Sequence, residues 1–351
     1  MFALKSFIFV SLSNTISGIL YYVLYYDGLR RGNEVRIRND KLKFAKQPTK
    51  VLIQEEIKQN TSCMINQYET MSGMQTGDIN LIKKDVFKFY NNLLGEDPVN
   101  DKDINDYNFN IKKLDVTASE SEKLNKNITF EEAHKVIKKM KVSSPGSSGL
   151  TIAFYKKYFE YFGYYFISIL NGEGELPKVF MDSLVKLIPK NNNLIKNIND
   201  LRPISLTNID YRIYTKILAN RLRVVSASVI GDHQTCSIPN RRINDNINLI
   251  RDIIFENNLN GSELYLVSVD QSKAFDRLSH KYLLKLLEHM NFGHFIINSI
   301  RKIYNRSCAK IIINNSMCDL IYNIWSETRL RLVYAFVYPM YRGTYNQNKV
   351  E

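Results

Sequence analysis

Cysteine is scarce in this chain. Four occur in 351 residues, at Cys63, Cys236, Cys308 and Cys318, far apart and never in Cys-x-x-Cys spacing. That distribution excludes a zinc ribbon and a disulfide framework, and it reads as free thiols in a reducing compartment. Histidine is almost as thin, with five in all, and His280, His289 and His294 are too scattered to form a metal-ligating cluster. Long apolar runs are lacking too. Ser6 to Tyr26 is uncharged and about as long as a membrane span (~20 residues), but Ser11, Ser13, Asn14, Thr15, Ser17 and Gly18 occupy its centre. No small-x-small cleavage site follows, which argues against a secretory signal. If the segment did insert, Arg30, Arg31, Arg36 and Arg38 would place its C-terminal side in the cytoplasm. Membrane association through residues 6–26 is nevertheless the weaker reading beside a spurious leader or a partly buried helix. The expected location is intracellular, cytoplasmic or nuclear.

Positive charge, by contrast, is plentiful: 48 Lys and Arg against 35 Asp and Glu leave a net +13. Such a balance suits a polyanionic partner, because Lys and Arg that neutralise phosphates release counterions. A basic, soluble surface without nucleic acid is the plainer alternative. The length is enough for a sizeable core divided into two or three units. Residues 34 to 95 read as charged and helical, and Gly95 to Lys126, rich in Asp and Asn, reads as a solvated linker. A helix starts at Thr129-Phe-Glu-Glu132 as a capping box. Ala133, Val136, Ile137 and Met140 then form one apolar face, and the helix ends before Ser143-Ser-Pro-Gly146. A second helix, about Asp210 to Leu222, sets Ile213, Ile217 and Leu218 on one side, with Arg212, Lys216 and Arg223 on others. Ser279 caps a third, in which Leu283, Leu284 and Leu287 face the core.

The most informative stretch is Leu264 to His280. Leu264 to Val269 reads as a buried strand that ends on Asp270, and Asp276 follows six residues later beside Phe275. A carboxylate on so rigid an element can hold a divalent cation. Mg²⁺ takes hard oxygen ligands and leaves positions for water and phosphates, which suits phosphoryl transfer. A strand that simply ends in a solvated aspartate fits the spacing equally well.

Val269-Asp-Gln-Ser-Lys-Ala-Phe-Asp276 closely resembles the first palm motif of reverse transcriptases from non-LTR (LINE-type) retrotransposons. Four more blocks match upstream in the family's order. Lys141 to Leu150 with Phe154-Tyr-Lys-Lys157 resembles its Pro-Gly-x-Asp-Gly segment, and Leu187-Ile-Pro-Lys190 resembles a fingers strand. Leu201-Arg-Pro-Ile-Ser-Leu-Thr-Asn208 through Leu222 is the most specific match after the palm motif. Gln234 to Asn246 follows a Gln-x-Gly-Phe-Ile-x-Gly-Arg pattern. Together these blocks cover roughly residues 130 to 315.

The resemblance implies an α+β fold: an incomplete right-hand polymerase with a helical N-terminal extension, fingers and a partial palm, the thumb absent. It divides the chain into a leader (1–30), a helical extension and linker (31–125), fingers and partial palm (126–325) and a tail without resemblance (326–351), as a frameshift would leave. It implies Mg²⁺ at Asp270, with the Gln271 carbonyl as a neighbouring ligand, and an RNA template, a DNA primer and dNTP as partners. Phe275 would be the steric gate against a 2′ hydroxyl, or an ordinary core phenylalanine. Lys190 and Arg202 would grip the triphosphate, Arg as a bidentate fork and Lys as a point charge. Arg212, Lys216, Arg241 and Arg242 suit template phosphates or plain solvation.

Departures accompany the matches. Ser148 stands where the family has aspartate, Cys236 and Ser237 replace Gly-Phe, Asn240 replaces a glycine, and Gln271 takes an apolar position. Lost glycines strain loops that need positive φ. After Ala309 to Asn314, which fits a palm strand, the family's glutamine-glycine block and Ala-Asp-Asp turn do not follow, and no Asp-Asp pair occurs in the sequence. The expectation is a chain inactive by itself as a polymerase. The alternative is a non-enzymatic nucleic-acid-binding remnant.

Overall fold

The computed structural model describes residue 65 and residues 67–94, 116–190, 197–231, 234–236, 238–261, 263–268, 279–304, 308–314 and 316–322. The leader, the extension as far as residue 64, residues 95–115, the segment holding Asp270, Gln271, Phe275 and Asp276, and the tail 326–351 lie outside them.

A two-residue pair of strands, β1 (Tyr68–Glu69) and β2 (Gln75–Thr76), leads into α1 (Ile79–Leu94). Next come α2 (Ala118–Leu124), α3 (Phe130–Lys139), α4 (Ile152–Asn171) and the single turn α5 (Lys178–Met181). The hairpin β3 (Asp182–Pro189) and β4 (Leu201–Thr207) follows, then the long α6 (Ile209–Val229) and α7 (Ile243–Asn260). Helices α8 (His280–His289) and α9 (His294–Tyr304) precede a second hairpin, β5 (Cys308–Ile313) and β6 (Ser316–Tyr322). The strands form a sheet in the order β4-β3-β5-β6, antiparallel within each hairpin and parallel where β3 meets β5. The α+β expectation holds. Among the described residues no helix is long and apolar enough to cross a membrane.

Local chemistry explains most helix ends. Thr117 and Glu120 cap α2 reciprocally, and the Ser279 side chain accepts from the Tyr282 N–H at the start of α8. At α3 the Thr129 hydroxyl accepts from the Glu132 N–H as expected. The Glu132 carboxylate, however, turns to Arg221 of α6, so a tertiary ion pair replaces the return half of the capping box. Helix α6 runs seven residues past the expected Leu222, because Val225 and Val229 continue its buried stripe. Around it one apolar cluster gathers Phe159 of α4, Tyr211 and Tyr214 of α6, Ile300 of α9 and Ile311 of β5. Tyr68 and Ile82 join the same cluster, with α1 packed against β6. The Asn314 side chain there bonds both the N–H and the C=O of Ile65, standing in for a ladder partner.

Two expectations are corrected. The reach from Gly95 to Lys126 is not wholly a solvated linker. Val116 and Leu124 are buried, α2 is capped, and the Val116 N–H donates to the Met290 carbonyl, so apolar anchors inside a charged stretch fold it onto α8 and α6. Nor are residues 264–268 a buried strand: they form no ladder, and Leu264 to Val267 are 44 to 81% exposed. The described sheet, β4-β3-β5-β6, does not include them. Outside a ladder, a run satisfies its N–H and C=O groups through water or other contacts rather than strand neighbours.

Candidate nucleotide and nucleic-acid interface

Two of the sequence blocks meet at Asn208, which is fully buried between β4 and α6. Its Nδ2 donates to the Val179 carbonyl (2.7 Å) and to Ser147 Oγ (3.2 Å), while its Oδ1 accepts from the Ser148 N–H (2.9 Å). The Pro-Gly loop is thereby held against the head of α6. Gly146 permits the approach, since a Cβ there would lie 2.3 Å from Asn208 Oδ1 and 2.5 Å from its backbone N. Gly149 closes the turn at φ 71°, its N–H donating to the Gly146 carbonyl. Ser148 is buried, and its Oγ accepts from the Leu150 N–H at 3.4 Å. A short hydroxyl therefore serves the turn at the position where the resembling family carries a carboxylate.

From the first turn of α6, Arg212 reaches back to the Ser144 carbonyl at 3.3 Å, and partial desolvation lowers its pKa. Asp210, two residues earlier in the same turn, is buried. Desolvation pushes its carboxyl up to about 7, against the opposing Tyr211 N–H that donates to it at 2.8 Å. Lys216 and Arg223 are exposed on the outer side of α6.

The β3–β4 hairpin sets the predicted phosphate ligands together. Arg202 pairs with Ile188, and the Lys190 N–H donates to the Asp200 carbonyl at 2.7 Å. Side chains two residues apart on a strand share a face, so Lys190 and Arg202 are diagonal neighbours on one exposed face. Lys186 shares it, and Lys310 of β5, in register with Leu184, extends it. Neither was singled out from sequence. Their signal is the lone lysine between buried neighbours, in Val185-Lys186-Leu187 and Ala309-Lys310-Ile311.

The loop block ends differently from expectation. The Arg241 guanidinium donates to the carbonyls of Gly231 (2.6 Å), Gln234 (2.9 Å) and Ile230 (2.9 Å), covering the C-terminal end of α6. A helix end carries orphan carbonyls and partial negative charge, and arginine answers both. Arg242 is exposed, and its backbone N–H donates to Asp245. Asn240 adopts φ 65°, so a left-handed position filled by glycine in the resembling pattern is occupied here by the residue that tolerates it best after glycine. Sequence reasoning overlooked Arg221. It holds Glu132 through Nε (2.8 Å) and Nη2 (2.6 Å), donates to the carbonyls of Leu124 and Asn127, and lies 5.2 Å from the Phe295 ring.

The expected metal ligand Asp270, and with it Gln271 and Phe275, falls outside the described residues, among which no group of three His, Cys, Asp or Glu could hold an ion.

Comparison with known proteins locates the likeness. Residues 188–328 match the reverse transcriptase (RNA-dependent DNA polymerase) family. Over 249 residues, 70% of this chain, the sequence is 32% identical to the transposon TX1 uncharacterized 149 kDa protein of Xenopus laevis. It is 27% identical over 138 residues (39% of the chain) to the retrovirus-related Pol polyprotein from type-1 retrotransposable element R2 of Nasonia vitripennis. With the R2 polyprotein of Popillia japonica the identity is 28% over 174 residues, 49% of the chain. The matched stretches amount to 19%, 13% and 24% of those relatives' own lengths.

Proposed function

Given that this chain carries reverse transcriptase sequence of the non-LTR retrotransposon kind, we propose that it supplies the fingers and part of the palm of an RNA-directed DNA polymerase. The observation that carries the reading is the shared face of Lys186, Lys190 and Arg202 on a hairpin whose β4 leads into α6, where Asn208 locks the Pro-Gly loop. A triphosphate needs fixed cations on a rigid element, and a two-stranded hairpin backed by a core supplies one. Lys190 and Arg202 take the triphosphate. Arg212, Lys216 and Arg242 take phosphates of the RNA template and DNA primer, contacts that position the strand without reading its sequence. Arg241 acts on that surface indirectly, by fixing the end of α6. Phe275 excludes a 2′ hydroxyl, and Asp270 with the Gln271 carbonyl would hold Mg²⁺, which when bound would stabilise charge on the transferring phosphate. The compartment is intracellular, cytoplasmic or nuclear.

These 351 residues contain no Asp-Asp pair, and one carboxylate cannot hold two cations about 4 Å apart against a triphosphate. The chain by itself is therefore inactive as a polymerase. Primer extension on an RNA template with Mg²⁺ and dNTPs tests this, and no incorporation is expected. Magnesium-dependent extension abolished by Asp270→Ala would overturn inactivity while supporting the family role. The net charge of +13 favours a second reading, a non-enzymatic nucleic-acid-binding remnant. It predicts salt-sensitive RNA binding with no effect of Lys190→Ala/Arg202→Ala on dNTP affinity.

A further inference from the structure

The inner side of α4 is an apolar stripe of Ile152, Tyr155, Phe159, Phe166 and Leu170. Its outer side should be charged, yet it carries Tyr158, Tyr161, Tyr164 and Tyr165, exposed by 37, 73, 73 and 60%. Tyr158, Tyr161 and Tyr165 follow one another at helical spacing, so the rings form a continuous surface. Part of that surface is rigid. The Tyr164 ring stacks on Phe130 of α3, centroids 4.7 Å apart and planes 21° from parallel. Phe130 can lie so close because residue 163 is glycine, where a Cβ would come 2.6 Å from the Phe130 ring.

Positive charge borders the rings. Lys156 and Lys157 are exposed on the same helix, and Lys157 Nζ is 5.3 Å from the Tyr158 ring centroid. Phe130 meets Tyr164 while His134 meets Phe159 at 6.0 Å, so α3 runs antiparallel to α4. That direction brings the exposed Lys135, Lys138 and Lys139 toward the Tyr158 end. Glu131 and Glu160 are the exposed acids of the two helices, fewer than the five lysines.

We infer that this face is a stacking platform for single-stranded nucleic acid, separate from the basic face of the β3–β4 hairpin. Tyrosine offers a flat ring to any base, and lysines at the margin meet the phosphates, a combination that binds single strands without sequence preference. A duplex hides the faces of its bases and gains only the charge. The inference rests on α3 and α4 alone and does not require the polymerase reading.

The test is fluorescence anisotropy of the full chain with a labelled oligouridine and with a duplex RNA, alongside sedimentation with vesicles of phosphatidylcholine and phosphatidylserine. Tyr161→Ala/Tyr165→Ala should weaken oligouridine binding by about tenfold or more, and Tyr161→Phe/Tyr165→Phe by less than about twofold. Duplex binding should respond to neither. Ultraviolet crosslinking of the unaltered chain should map to residues 152–171, a readout that survives if the alanine variant fails to fold. Unchanged oligouridine affinity in a folded alanine variant overturns the inference. So do crosslinks confined elsewhere, or a tyrosine dependence seen with vesicles and not with RNA. Lys190→Ala/Arg202→Ala separates the two proposals, because it should alter dNTP affinity and leave the tyrosine dependence in place.

Discussion

Gly146 shows how much one residue of a loop can be asked to do. With a would-be Cβ 2.5 Å from the Asn208 backbone N and 2.6 Å from the Thr207 carbonyl carbon, as well as 2.3 Å from Asn208 Oδ1, it is hemmed in by backbone that cannot swing away. Gly146→Ala should therefore cost about 1–3 kcal/mol as an overpacking change, read as a lowered denaturation midpoint. A neutral result would mean that the loop is not docked on Asn208. Asp210 gives a pH-dependent counterpart. Its carboxyl lies at about 7 instead of 3.8, mainly through desolvation, so the folded chain holds a proton that the unfolded chain has released. The contribution is fully present below the ordinary carboxylate value and is lost as pH climbs toward 7. Asp210→Asn keeps an acceptor for the Tyr211 N–H, and it should flatten the fall in stability between pH 4 and 7 by up to about 1.4 kcal/mol per pH unit. Unfolding midpoints measured across that range check it, and an unchanged slope would refute it. Residues of this kind were only partly legible. Asn240 could be flagged because the pattern there wants glycine, and φ 65° explains why. Asp210 carried no such mark, because burial of a polar residue depends on what packs over it.

Among elements, those with a local cause were the readable ones. Helices α3 and α8 announce their starts through Thr129 and Ser279, and their buried faces follow the 3.6-residue period. Strand β3 was legible from Leu187-Ile-Pro-Lys190, and β5 from Ala309 to Asn314. Residues 264–268 were misread because apolar and β-branched content says nothing about whether a run pairs, and the described sheet leaves these residues out. Arg221 was missed for a related reason: its partner Glu132 is 89 positions away. That arginine ties the α2–α3 junction and α9 to α6 through five groups at once. The Arg221 and Glu132 side chains are only 11 and 29% exposed, so removing one leaves the other partly desolvated without its counter-charge. Arg221→Gln should destabilise by about 2–4 kcal/mol. In a cycle with Glu132→Gln the double variant should recover part of that loss, a coupling of about 0.5–3 kcal/mol. Strict additivity in urea denaturation would show that the pair contributes nothing beyond its separate carbonyl contacts.

At the scale of the whole molecule, burial is lopsided. Helix α6 has twelve buried residues, whereas α7 has none. On α7, Ile243, Ile247, Ile250, Ile254, Phe255 and Leu259 are 40 to 72% exposed, and the run Leu264 to Val267 continues the apolar surface beyond its C-terminus. Folded monomers rarely leave a patch of that extent in water. Residues 263–268, outside any ladder among the described residues, add backbone groups able to recruit another strand. The expected consequence is self-association under native conditions, driven by apolar burial and therefore strengthened by sulfate, whereas RNA binding through lysine and arginine weakens as salt rises. Charged replacements on α7, such as Ile250→Glu with Ile254→Glu, should reduce both light scattering and the binding of an apolar fluorescent dye, and should leave the thermal midpoint nearly unchanged because no buried contact is lost. A large drop in that midpoint would mean that α7 packs against the core in solution. A chain monodisperse in sulfate with no dye binding would mean that this face is covered. Either result would remove the case for an open apolar surface.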